Sequence, residues 1–291
     1  MANKKITEED LLKTGIKIIR DIQKDMLTLL THDRLSALEI YKNKWKSEEN
    51  ITRGVDVAAE NRCKAILYGR YGTQIFVLGE ESLRDETINL TQENRIVALL
   101  DMVDGTDLLS RDLHNWCSAI LFFNPSEKKI ISSLVGDPFG QIYYATYSKE
   151  GAYKIPFNKG KEIQIKSVPV EKIEEAYVCF YGQKKKNLLS ITSKTNFLSR
   201  IYRIYNLGGN PMMVKVAEGV MNAVFELCGQ KPHDVIPGAF IAKKAGAFFE
   251  GIDEKIILED TLLTPSASEL KYILACSESL WYQLKQSFTS H

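Results

Sequence analysis

The 291-residue chain is about twice the size of one ordinary domain, so its length accommodates two lobes around a shared interface. Hydrophobic residues at 44% and charged residues at 26% are globular proportions, which exclude a long disordered chain, a fibrous repeat and a disulfide-dense miniprotein. Thirty-eight Lys and Arg against 37 Asp and Glu leave no basic field to hold a nucleic-acid backbone. The five cysteines, Cys63, Cys117, Cys179, Cys228 and Cys276, contain no CxxC pair, which points away from zinc and disulfides and toward a reducing compartment. The first ten residues turn acidic without an apolar core, and the strongest apolar run, Trp116 to Phe123, is too short to cross a bilayer. These features predict a cytoplasmic protein with neither nucleic-acid nor membrane partners.

In chain order, Thr7 and Asp10 resemble a capping box, and Leu12, Ile16, Ile19, Met26 and Leu30 then recur at helical steps. A second helix is predicted over Ala58 to Tyr71, followed by a strand at Gln74 to Leu78 that runs into Gly79-Glu80-Glu81-Ser82. Arg95 to Met102 is nearly all apolar, as expected for a strand buried on both faces, and it ends in a row of acids. Cys117 to Phe123, Lys129 to Val135, Gln141 to Tyr147 and a Gly151-Ala152-Tyr153 corner read as an antiparallel meander. From Ala176 the pattern alternates: strand Ala176 to Tyr181, helix Asn187 to Ser199, strand Arg200 to Tyr205, helix Pro211 to Glu218, strand Ala223 to Leu227 and helix Val235 to Ala245. A lobe boundary near residue 168 follows, giving lobes 1–168 and 169–291.

Acids gather where elements end: Glu80 and Glu81, then Asp101, Asp104 and Asp107, then Asp234. Two carboxylates and the Val103 carbonyl in Asp101-Met102-Val103-Asp104 could bend around a hard cation, and oxygen ligands at this density suit Mg²⁺ rather than zinc. Gly105 permits close backbone approach, and Thr106 and Asp107 open a helix whose free amides favour phosphate. Taken singly, each of these features is also ordinary turn, cap or surface chemistry.

Their order along the chain resembles the inositol monophosphatase-like superfamily of Mg²⁺-dependent, Li⁺-sensitive phosphatases. Gly79-Glu80-Glu81-Ser82 matches its GEES, Asp101-Met102-Val103-Asp104-Gly105-Thr106 its DPxDGT, and Pro232-His233-Asp234-Val235-Ile236-Pro237-Gly238-Ala239 its PWDxAxGA. The resemblance implies a layered α/β fold, the five-layer α/β/α/β/α sandwich of the sugar phosphatases, and a homodimer. It implies that Glu80, Asp101, Val103 through its carbonyl, Asp104 and Asp234 hold two or three Mg²⁺ ions. Glu80 and Thr106 would orient the attacking water, with Asp104 in the catalytic set. The amides of Gly105 and Thr106 would hold phosphate, with Asp107 at the same helix start. Gly208-Gly209-Asn210 stands in the place of the family's G[ST]AA turn, and Glu226 resembles the acid that takes substrate hydroxyls. Glu60 falls at the acidic position of the TxAD helix, directed toward Thr106, and Glu81 either supports a ligand or is exposed.

Three departures bear on substrate. His233 replaces the usual Trp, and Lys243-Lys244-Ala245-Gly246-Ala247 replaces EAGG. Asp107 adds a negative charge where phosphate should arrive: it could cap the helix, bind a further cation or repel doubly phosphorylated substrates. No basic cluster stands out for a second phosphate. The sequence thus predicts Mg²⁺-dependent hydrolysis of a small polyol or sugar phosphate such as an inositol monophosphate. The alternatives are a fructose-1,6-bisphosphatase, a 3′(2′),5′-bisphosphate nucleotidase, or a metal-binding scaffold with weak catalysis.

Overall fold

The computed structural model describes residues 5–39, 54–83, 88–156, 160–182 and 184–289, with the side chains of Leu35, Glu81, Ser82 and Thr289 outside the description. Thr7 accepts the Asp10 amide at 3.2 Å and starts α1 (Glu8–His32), whose first turn carries three acids beside its free amides. Leu11, Ile18, Ile19, Ile22 and Met26 form its buried stripe. The predicted Leu12, Ile16 and Leu30 lie partly buried at the margin of that stripe, one helical position away from its centre.

After α2 (Arg34–Ala37) and α3 (Gly54–Tyr71), β1 (Ile75–Gly79) leads into α4 (Glu80–Leu83), and β2 (Ile96–Asp104) into α5 (Thr106–Leu109). The strands β3 (Cys117–Asn124), β4 (Lys129–Gly136), β5 (Ile142–Thr146), β6 (Ala152–Ile155) and β7 (Ile163–Ile165) complete a seven-stranded sheet in sequence order. β1 pairs parallel to β2, and every later pair is antiparallel, as the meander predicts.

The second sheet begins with β8 (Tyr177–Phe180), followed by α6 (Lys185–Thr192), α7 (Thr195–Arg200), β9 (Arg203–Tyr205), α8 (Gly209–Ala217) and β10 (Ala223–Gln230). Then come α9 (Pro232–Lys244), β11 (Phe248–Gly251), α10 (Leu258–Thr261), β12 (Leu270–Ala275) and α11 (Glu278–Thr289). Its order is β11-β12-β10-β8-β9, with β8, β9 and β10 parallel. The single helix predicted over Asn187 to Ser199 is two helices, because Lys194 leaves the helical region at φ −94°, ψ 62°.

The layering follows from which faces are apolar. Alternate β2 residues divide between two cores: Ala98 and Leu100 pack with α1 and α3, while Val97 and Leu99 pack with α8, α9 and the second sheet. Helices α8 and α9 are the middle layer, touching both sheets, and α6 and α11 cover the far side of the second sheet. The result is the five-layer sandwich, with α9 carrying Asp234 into its centre.

Candidate active site

The site is made by an irregularity in β2. Residues 101 and 104 are an odd number apart, so in a regular strand their side chains would point to opposite faces. The register against β3 shifts here, with Asp101 opposite Ala119 but Asp104 opposite Cys117, so three residues of β2 span two of β3. This bulge puts Met102 and Val103 together in the α1/α3 core and turns both aspartates toward α8 and α9. Asp101, Asp104 and Asp234 then offer ligand oxygens within 4.8 Å of one another.

Gly105, at φ 94°, makes the turn that follows, and a Cβ there would lie 2.8 Å from the Asn115 carbonyl. Thr106 Oγ1 sits 2.6 Å from Asp56 Oδ1 and 2.9 Å from the Val103 carbonyl. The partner of Thr106 is therefore Asp56, in the first turn of α3, and not Glu60 as the sequence suggested. Glu60 lies one helical turn later, packs on Gly79 and pairs with Lys64 at 2.6 Å. Two acids on one helix face could each have served, and only their height along α3 decides. Asp107 is exposed and ion-paired with Arg111 one turn on, so its charge has a local counter-ion.

From α8, the Asn210 backbone amide donates to Asp104 Oδ2 at 3.0 Å. Gly209 is placed so that a Cβ would stand 2.9 Å from the same oxygen, which only glycine permits. The Asn210 side chain is fully buried, with Nδ2 on the His233 carbonyl at 2.9 Å and Oδ1 on the Gly238 amide at 2.7 Å. It ties α8 to α9 and so positions Asp234. His233 is 3.4 Å from Asp234 through Nε2.

Burial, with Asp104, Glu80 and Asp234 nearby, pushes Asp101 well above the ordinary carboxylate range. Burial and Asp234 push Asp104 well up against the Asn210 amide, and burial raises Asp234 against the opposing charge of His233. Glu80, at the start of α4, adds to all three. Asp101 Oδ2 is buried without a hydrogen-bond partner. Three converging carboxylates, one with an orphaned oxygen, with the charge of Glu80 acting on all of them, fit a hard divalent cation, whose charge would relieve their repulsion.

Glu226, which the resemblance places toward substrate hydroxyls, lies in β10. It is 2% exposed, and its oxygens face Asn187 Nδ2 at 2.9 Å each and the Cys228 amide at 2.5 Å. Asn187 and Tyr181 belong to no motif that the sequence displays, whereas Asp56 opens the segment Asp56 to Leu67 that resembles the TxAD helix, four residues before Glu60. Tyr181, just past β8, feels Asp234, Asp104, Glu226 and Asp107, and burial pushes its phenol up.

A search of curated protein sequences finds no match. Among solved structures, a Pyrococcus horikoshii protein described as having similarities to inositol-1 monophosphatase is 22% identical, with TM-score 0.74 and 97% of this chain and 99% of that one covered. An IMPase/NADP phosphatase complexed with Mg²⁺ and phosphate is 17% identical, with TM-score 0.75 and coverage of 98% and 97%. A dual specific IMPase/NADP phosphatase bound with D-inositol-1-phosphate is 18% identical, with TM-score 0.76 and 98% of each chain covered. At these identities the likeness is one of fold. The model of the inositol monophosphatase family matches residues 9–285, a span that takes in both sheets and every carboxylate of the cluster, and so the chain belongs to that family and is a phosphatase.

Proposed function

We propose that the chain is an Mg²⁺-dependent phosphomonoesterase that hydrolyses small polyol or sugar phosphates, such as an inositol monophosphate, by direct attack of water. The observation that carries this reading is the Asp101, Asp104 and Asp234 cluster, with ligand oxygens within 4.8 Å and a buried oxygen lacking any partner. Glu80, Asp101, the Val103 carbonyl, Asp104 and Asp234 would hold the metal. When bound, the metal supplies charge neutralisation at phosphate and a lowered pKa for water. The structural relatives support the choice of ion and ester, since one holds Mg²⁺ with phosphate and another D-inositol-1-phosphate.

The chain's own groups do the positioning. Thr106 has one hydroxyl proton and two acceptors, Asp56 and the Val103 carbonyl, so the proton is committed and the oxygen lone pairs are left for an incoming water. Glu80 accepts a proton of that water. The amides of Gly105 and Thr106, at the open start of α5, hold phosphate oxygens, and Gly209 keeps side chains off Asp104. In solution the chain is a homodimer on this reading.

The test is phosphate release from a panel of inositol, sugar and nucleoside phosphates. Release should need Mg²⁺, stop in chelator and be blocked by excess Ca²⁺, whose looser shell misplaces water, and by Li⁺. Equal turnover in chelator would overturn the metal-dependent mechanism.

A further inference from the structure

Helix α5 is a single short turn, yet it carries Thr106 into the site, so its ends have to be held from outside. Its last residues close on themselves. The Asp112 amide lies 3.1 Å from the Leu109 carbonyl and the Leu113 amide 2.9 Å from the Leu108 carbonyl, which is the bonding of a Schellman cap. The central residue of such a cap takes the left-handed region and is usually glycine. Here it is Asp112, at φ 60°, a sign of φ that only Lys128 shares among the described residues other than glycine.

A second segment of the chain meets this cap. Arg34, the first residue of α2, sets Nη1 and Nη2 on the two carboxylate oxygens of Asp112 at 3.1 Å each, and Nη2 also lies 3.4 Å from the Ser110 carbonyl. Both oxygens are engaged, which is the bidentate geometry in which an exposed ion pair counts. The same corner of the fold reaches the other end of α5. Gly54 opens α3 with its amide 3.0 Å from the Glu39 carbonyl, and a Cβ there would stand 2.2 Å from the Ser36 carbonyl, so α2 and α3 meet backbone to backbone. Two residues later Asp56 holds Thr106 Oγ1 at 2.6 Å. Helix α5 is thus gripped at its start by α3 and at its end by α2.

We propose that Arg34 is a positioning residue for the reaction: by holding Asp112 in its left-handed conformation it fixes the end of α5, and with it the placement of Thr106 at the start. The inference rests on the phosphomonoesterase reading above. A left-handed backbone is unfavourable for a residue with a Cβ and easy for glycine, so Asp112 depends on a partner where glycine would not. Without Arg34 the cap opens, and a helix of one turn has few hydrogen bonds of its own to hold its axis. What matters is the conformation that Arg34 imposes on Asp112, not the charge it brings near the site.

The experiment measures kcat and KM for myo-inositol 1-phosphate in Mg²⁺, normalised to folded protein, with a urea midpoint for each variant. Arg34→Met should lower kcat about fivefold, the scale of one well-formed exposed pair, and leave KM within about twofold, since Thr106 orients the attacking water and acts chiefly in the transition state. Asp112→Ala, which keeps the Cβ and loses the carboxylate, should match it. Asp112→Gly in the Arg34→Met background should restore kcat to within about twofold of wild type, because glycine keeps the cap without a partner. A double variant as slow as Arg34→Met would mean that Arg34 acts through its charge, and would overturn the inference. An unchanged kcat in Arg34→Met with a lowered urea midpoint would make the pair merely structural, and would overturn it too. No phosphate release by folded wild type would instead remove the phosphomonoesterase reading, and this inference with it.

Discussion

Helix α8 has a cluster of buried charge at each end, and the two are built in opposite ways. At its N-terminal end Gly209 and Asn210 meet Asp104, whose neighbours Asp101 and Asp234 repel it and one another, and Asp101 Oδ2 has no partner. At its C-terminal end Lys215 and Glu218 meet Asp137, Tyr143 and Lys154 from the first sheet. Lys215 is 2.5 Å from the Tyr143 hydroxyl and 3.4 Å from Asp137, Tyr143 donates to Glu218 at 2.9 Å, and Lys154 pairs with Glu218. The backbone amides of Phe139 and Gln141 complete Asp137 at 3.0 Å each. One cluster is satisfied by the protein and joins α8 to the first sheet; the other is left unsatisfied at a cost in stability, which is how a binding site differs from a structural contact.

The largest expected effect is at the unsatisfied end. Asp104→Asn should lower turnover in Mg²⁺ more than roughly 10²-fold, since a neutral amide binds a hard cation poorly. In chelator the same variant should have a higher urea midpoint than wild type, because one repelling charge is gone. A lower midpoint would mean that the carboxylate is structural and would break the contrast.

At the satisfied end the sign reverses. Lys215→Met leaves Asp137 and Glu218 without their shared cation, and the partial exposure of Lys215 moderates the loss to about 2–3 kcal/mol of folding stability. Urea denaturation measures it, and a change under 0.5 kcal/mol, roughly the scale of an exposed pair, would place this network with ordinary surface salt bridges.

The pH dependence of stability sharpens the contrast further. Asp101, Asp104 and Asp234 are raised above the ordinary 3.8, first by burial, so the folded, metal-free protein keeps protons that the unfolded chain releases. Their stabilising share is full below about pH 3.8 and is lost as pH rises through the folded values. Glu218 runs the other way. Despite its burial, Lys154 and Tyr143 hold it below 4.5, so its share is present above that value and lost as pH falls through the folded one. In chelator, Asp101→Asn should flatten the fall of the urea midpoint from pH 5 to 8, and Glu218→Gln should leave that fall in place. An unaltered slope in Asp101→Asn would show that other groups set it.

The smallest effect is expected at Asp107. Its ion pair with Arg111 already offsets the charge the sequence placed at the phosphate-binding turn. Asp107→Thr should change KM by less than about twofold at low and at physiological salt. A several-fold fall in KM at low salt alone would show that Arg111 does not screen it.

Much of this is legible in the amino-acid sequence. The apolar run of β2, the cap at Thr7 and the three acidic motifs depend on neighbours a few residues apart, and local pattern carries that information. The positions of Asp56, Asn187 and Asn210 are not legible there, because their partners Thr106, Glu226 and His233 lie 50, 39 and 23 residues away. A polar residue in a helix looks the same in sequence whether it faces solvent or a buried carboxylate.

The sequence by itself determined the family, the meander, the alternation of strands and helices after residue 176 and the set of carboxylates able to meet a cation. Tertiary structure alone decided how they meet. The bulge in β2 turns Asp101 and Asp104 to one face, α9 brings in Asp234 from 130 residues beyond Asp104, and α6 delivers Asn187 onto Glu226. Local pattern fixes which face of an element is apolar, but the bonding of a buried polar group depends on which element is packed against it, and only the folded chain settles that.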